Sequence, residues 1–99
     1  MILIVAYDIT DNKIRKKLAN YLVYEGLVRV QKSVFMGPSD YLGKSRIKAE
    51  IRKKIADTEQ AQIFVHTIDS RSVHKGNFIG DADDEMIQDI LNIRKFIIY

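Results

Sequence analysis

The first ten residues, MILIVAYDIT, constrain this chain more than any other stretch. Seven mostly apolar residues run into a single carboxylate at Asp8. β-Branched and aromatic side chains dominate, and the pattern predicts a strand over 2–8. Alternate residues of a strand share a face. Ile2, Ile4, Ala6 and Asp8 therefore point one way, and Leu3, Val5 and Tyr7 the other. Both faces are apolar as far as Ala6, which places the strand in the middle of a sheet covered on both sides. An acid at the end of a covered face calls for a reason. It either caps the helix that follows or meets a cation.

Past Asp8, Thr10 and Asp11 are both suitable helix N-caps. Ile14, Leu18, Tyr21 and Leu22 recur at helical spacing, predicting a helix over 11–25 that Gly26 closes in the left-handed C′ position. Residues 27–36 then read as one strand, with Val28, Val30, Val34 and Met36 on an apolar face that Lys32 interrupts. Leu27, Arg29, Gln31, Ser33 and Phe35 form the mixed face, and Gly37-Pro38-Ser39 breaks the strand. Within 40–57, Ile47, Ile51 and Ile55 give a stripe every four residues, although Gly43 weakens the first turn. Residues 61–69 are a strand apolar on both faces, and 77–80 a short further strand. Residues 84–92 form a brief helix weakened by the acids around it, and KFIIY at 95–99 has strand character. The plain order is βαβαββ. It supports two helices on an antiparallel or mixed sheet without fixing the topology.

Two helices cover one sheet face. The second apolar face needs another cover, and a second copy of the same sheet is the simplest one, so a homodimer packed sheet against sheet is expected. The terminal strand is then free to pair with an edge of the partner. Ninety-nine residues make a single domain, 1–99, with 81–99 as a C-terminal segment. The absence of cysteine excludes disulfides and thiolate zinc sites. No run approaches the ~20 apolar residues of a membrane span, and the N-terminal run does not read as a targeting segment, so a cytoplasmic protein is expected.

Charge is distributed unevenly. Residues 1–54 carry twelve Lys/Arg against five Asp/Glu, a net +7, and residues 55–99 carry four against eight, a net −4. A basic half points to a polyanion partner, or else to a solvated helix face. Lys13, Arg15, Lys16 and Lys17 can follow a nucleic-acid backbone. Arg29 can clamp a phosphate bidentately or form an ion pair. Tyr7 reads as a core tyrosine with its hydroxyl at the rim, His66 as a core histidine and His74 as loop surface. Two Asp8 carboxylates meeting across a two-fold axis would suit Mg2+, which takes hard oxygen ligands and keeps several waters. The sequence shows no Gly-rich phosphate loop, no pair of histidines at i, i+4 and no Ser/His/Asp set.

The stretch VAYDITDNKIRKKLANYLVYEGLVRVQKSVFMG resembles the CRISPR-associated protein 2 family. The resemblance is carried by Tyr7-Asp8-Ile9, by Asp11, Arg15 and Lys17, by Gly26, and by Arg29, Gln31, Ser33, Val34 and Phe35. Its specific part is residues 4–37. It implies an α+β, ferredoxin-like βαββαβ fold with an extra C-terminal strand, and a homodimer with sheets face to face. That order would require 27–36 to supply a hairpin, and no turn signal sits there. It implies that Asp8 is the catalytic residue and binds Mg2+ jointly with its symmetry mate. Tyr7, Arg15, Lys17, Arg29 and Phe35 match substrate-binding positions in or beside that nuclease site. Lys17 stands where some family members have arginine, keeping the charge without the bidentate fork. The implied activity is a metal-dependent endonuclease on single-stranded RNA or double-stranded DNA. The implied partner is the CRISPR-associated protein 1 integrase, beside which the small protein bridges DNA during spacer acquisition.

Overall fold

The computed structural model describes residues 1–91. Along the chain come β1 (Ile2–Ile9), α1 (Asn12–Tyr24), β2 (Val28–Gln31), β3 (Val34–Pro38), α2 (Tyr41–Lys54), β4 (Ala61–Ile68) and α3 (Asp84–Leu91). The four strands form one antiparallel sheet in the order β2-β3-β1-β4. Through β4 this is the βαββαβ order of ferredoxin-like folds. β1 lies in the middle, as its two apolar faces require. The strand character of 95–99 lies outside the described residues.

The predicted single strand over 27–36 is a hairpin. The chain turns at Lys32 and Ser33, and β3 runs back beside β2. Neither turn residue is among the Gly, Asn and Asp that mark tight hairpins, so local composition does not announce the turn. Pairing with β1 decides it, with Ala6 opposite Val34 and Val5 opposite Phe35. The face assignments survive the correction. Val28 pairs with Met36 and Arg29 with Phe35, so residues of equal parity still share a face until the irregularity between Arg29 and Gln31. Gly37 and Pro38 do not break the strand. They pair with Leu3 and Ile2, and a Cβ on Gly37 would lie 3.1 Å from the Leu27 Cα and 3.2 Å from the Gly26 carbonyl. A glycine is kept there by close backbone approach.

Helices α1 and α2 cover one sheet face. Leu3, Val5, Tyr7, Ile9 and Phe35 meet Leu18, Ala19, Leu22, Ile47 and Ile51 in the main core. The N-cap of α1 is Asp11, which accepts from the Lys13 and Ile14 amides at 2.9 and 3.0 Å. Its C-terminus is a Schellman turn. Leu27 N–H donates to the Leu22 carbonyl and Gly26 N–H to that of Val23, with Gly26 at φ +93°. Asp40 caps α2 by accepting from Gly43 N–H at 2.6 Å. That cap offsets the weakness expected of Gly43.

The second face has a cover of its own over part of its length. Ile2 and Met36 pack with Val73 and Ile90, and Ile87, Met86 and Phe78 close over them. The strand predicted at 77–80 is absent. Phe78 packs into this cluster from irregular chain, and Ile79 is fully exposed. The helix over 84–91 tolerates Asp84 and Glu85 because they occupy the first turn, where the helix dipole favours negative charge. Among the described residues, the part of this face left open is the Asp8 end. Among the described residues, no helix is long and apolar enough to cross a membrane.

The seam between α1 and α2 is polar. Tyr21 donates to Glu25 at 3.1 Å, and the same carboxylate oxygen pairs with Arg46 at 2.9 Å. The Lys54 ammonium lies 4.6 Å from the Tyr21 ring centroid. Burial first, then the hydrogen bond and charge of Glu25, push the Tyr21 phenol up to about 12. The folded chain therefore holds this proton more tightly than the unfolded chain, whose tyrosines titrate at about 10. The stability it supplies is intact below pH ~10 and is lost as pH climbs toward the folded value. Denaturant melts across that window should show a decline that Tyr21→Phe flattens. Gly26→Ala, which forces a side chain into the left-handed region, should cost about 1–2 kcal/mol, read as a lower denaturant midpoint at unchanged slope.

Candidate functional site

Asp8 extends from β1 on the second face, past Ala6 and opposite Gln62 of β4. It is exposed, and among the described residues its carboxylate has no hydrogen-bond or ion-pair partner. The reading of Asp8 as a helix cap is corrected here, because Asp11 performs that task. With Thr10, Glu59, Gln60, Ala61 and Gln62, Asp8 lines an open cleft of about 290 Å³. Two carboxylates and a hydroxyl are hard oxygen donors of the kind Mg2+ takes, with water completing the shell. One chain does not supply a full set: no group of three or more His, Cys, Asp and Glu positioned for a metal occurs among the described residues.

The other candidate residues lie on the opposite face. Tyr7, nearly buried, stacks on the fully buried Phe35 with ring centroids 6.2 Å apart. The Arg29 guanidinium lies 5.0 Å from the Phe35 ring centroid and donates from Nη2 to the Tyr7 hydroxyl at 3.4 Å. Tyr7 in turn donates to the Lys32 carbonyl at 3.5 Å, across the β2–β3 turn. Arg15 donates from Nη1 to the Ile9 carbonyl at 3.2 Å and from Nη2 to the Asn12 side chain. Between α1 and the hairpin runs a cleft of about 640 Å³, lined by Asn12, Arg15, Lys16, Ala19, Asn20, Arg29, Lys32 and Ser33. Four cations and no carboxylate line it.

The structure therefore brings Tyr7, Arg15, Lys16, Arg29 and Phe35 together and sets Asp8 apart from them. Lys13 and Lys17 are exposed on α1 but do not line the cleft. They sit about 100° around the helix from Asn12 and Lys16 respectively. His66 is not a core histidine. It is exposed on the second face, with its ring centroid 5.7 Å from that of Phe64. His74 is on the loop surface as expected, its Nδ1 accepting from Gly76 N–H. Sequence reasoning passed over Lys32 as a cleft residue. The signal was present as the charge that breaks the apolar face of 27–36, and that interruption is the hairpin turn.

Comparison with known proteins agrees with this architecture. Residues 1–75 match the family model for CRISPR associated protein Cas2. A CRISPR-associated endoribonuclease Cas2 of Thermofilum pendens is 32% identical over 99 residues, covering all of both chains. A CRISPR-associated endonuclease Cas1/endonuclease Cas2 fusion of Thermoproteus tenax is 34% identical over 76 residues, covering 74% of this chain and 27% of the fusion. The crystal structure of Streptococcus pyogenes Cas2 at pH 6.5 shares the fold, with a TM-score of 0.69 at 24% identity, over 81% of this chain and 100% of that one. With its family match over three-quarters of the chain and a full-length relative, this chain belongs to the CRISPR-associated protein Cas2 family.

Proposed function

We propose that this chain is a magnesium-dependent endonuclease that hydrolyses phosphodiester bonds, working as a homodimer in which two Asp8 carboxylates share the ion. The observation that carries the reading is Asp8 itself: an exposed acid at the end of the central strand, without a partner among the described residues and relieved of capping by Asp11. A carboxylate left open in this way is available as a hard ligand. When bound, the ion supplies positive charge against the phosphoryl oxygens. The chain's own part is to hold Asp8 at a fixed height on a rigid strand, with Thr10 and Glu59 beside it. The endoribonuclease name of the Thermofilum pendens relative supports the reaction class.

The part of the second face that α3 leaves open supports the dimer reading. Phe64 is 60% exposed there, opposite Ala6 and two register positions along from the Asp8–Gln62 pair. A large apolar side chain at that place favours burial against a partner, worth about 1.5–3 kcal/mol if complete. A two-fold axis through this patch would bring the two Asp8 side chains together.

A second reading, a scaffold that binds DNA without cutting it, is favoured by the net +7 of residues 1–54 and by the cationic cleft on the face away from Asp8. The Cas1/Cas2 fusion relative supports a CRISPR-associated protein 1 integrase as partner and spacer acquisition as the setting.

Asp8→Ala and Asp8→Asn should lower cleavage of RNA or duplex DNA in Mg2+ at least about a hundredfold while the dimer stays folded. Cleavage at the wild-type rate by the mutants, or by wild type in chelator, would remove the nuclease reading and leave the scaffold. Phe64→Lys should convert the dimer to a folded monomer in sedimentation experiments and abolish cleavage with it. A dimer unchanged by Phe64→Lys would place the interface elsewhere.

A further inference from the structure

We infer that Gln62 of β4 is the positioning residue of the Asp8 surface, its side-chain amide placed to donate to the Asp8 carboxylate and so to fix the direction in which that carboxylate meets a cation. The inference rests on the magnesium reading above and adds the residue that orients its ligand.

Three observations carry it. The first is register. Asp8 and Gln62 are a directly opposed pair of the antiparallel β1–β4 ladder. Both side chains therefore rise from one face, with Cβ atoms about 4.5–5.5 Å apart, a span that a glutamine side chain bridges. On its other edge β1 pairs with β3 only as far as Ala6 opposite Val34. At the level of Asp8 the described sheet is reduced to β1 and β4, and Gln62 is the strand residue beside the acid.

The second is hydrogen bonding. Both residues are exposed, and among the described residues neither the Asp8 carboxylate nor the Gln62 amide has a partner. Arg15, a possible rival donor, is directed to the Ile9 carbonyl and to Asn12. Gln60 lines the same cleft but precedes the strand, in a bend held by its main chain: Thr10 N–H donates to the Gln60 carbonyl, and Gln60 N–H to the Thr58 hydroxyl, each at 3.3 Å.

The third is charge. No lysine or arginine lines the cleft that Asp8 shares with Thr10, Glu59 and Gln62. A cationic side chain beside Asp8 would orient the carboxylate and also cancel the charge that draws a divalent cation. A neutral amide donates without that cancellation. Carboxylates that bind metals are themselves hydrogen-bonded, and a carboxylate oriented in advance loses less freedom on binding.

The test titrates the protein with Mn2+, which takes the same hard oxygen donors as Mg2+, and counts free Mn2+ by electron paramagnetic resonance, with no nucleic acid present. Gln62→Met keeps the length of the side chain and removes the donor. It should weaken Mn2+ binding roughly tenfold to a hundredfold while sedimentation and the melting midpoint in chelator stay as in wild type. Gln62→Lys restores a donor but adds positive charge, and should bind Mn2+ more weakly still. Gln60→Met should bind as wild type does. Unchanged affinity in Gln62→Met, an equal loss in Gln60→Met, binding by Gln62→Lys at least as tight as by Gln62→Met, or loss of the dimer in Gln62→Met each overturns the proposal. Asp8→Ala, titrated alongside, judges the magnesium reading. Wild-type Mn2+ affinity in Asp8→Ala removes that reading and the role of Gln62 together, whereas a loss in Asp8→Ala with none in Gln62→Met removes the role of Gln62 alone.

Discussion

β1 exchanges hydrogen bonds with β3 along one edge and β4 along the other, and both layers of apolar packing are built on it. Leu3, Val5, Tyr7 and Ile9 enter the core beneath α1 and α2, while Ile2 and Ile4 enter the smaller cluster beneath α3. A strand in that position has its backbone groups satisfied on both sides and its side chains packed on both faces. Its end residues are then placed with little freedom. Asp8 and Tyr7 are neighbours in sequence, yet they emerge on opposite faces because the side-chain period of a strand is two.

That separation gives the molecule two surfaces of different chemistry. On one, Asp8, without a partner among the described residues, stands near the exposed Phe64. On the other, Arg15, Lys16, Arg29 and Lys32 line a cleft without acids, and Arg29 also lies over the ring of Phe35, which stacks on Tyr7. Arg29 and Phe35 are a directly opposed pair on β2 and β3, so the hairpin register is what aligns the guanidinium with the ring. The exposed acid and the cationic cleft thus lie on opposite sides of one sheet, and the two roles proposed for the chain draw on different residues.

The acidic C-terminal half has a structural task of its own. α3 lays Met86, Ile87, Ile90 and Leu91 across the Ile2 end of the second face. Asp84 and Glu85 sit in its first turn, where they suit the helix dipole. Among the described residues, the patch left open on this face is at the Asp8 end, about 20 Å along β1 from Ile2. A partner that packs on this face meets Phe64, His66 and Asp8 together.

Local pattern alone determined much of this protein. The double-sided apolar run specified a central strand. The Ile14–Leu22 and Ile47–Ile55 stripes specified two helices on one face, and Gly26 specified where the first helix ends, because each of these depends on residues within a few positions of one another. Tertiary structure decided the rest. The turn at Lys32–Ser33 carries no turn chemistry, and it exists because Val34 and Phe35 gain more by pairing with β1 than by extending β2. The roles of Asp8 and Asp11 look alike in sequence, since both precede a helix, and only the strand's reach to Ile9 assigns the cap to one and leaves the other exposed. Lys32 joins Arg15, Lys16 and Arg29 solely because the hairpin folds back beside α1. Distant pairing of this kind leaves no mark in a local window, since its free energy belongs to contacts between residues far apart along the chain.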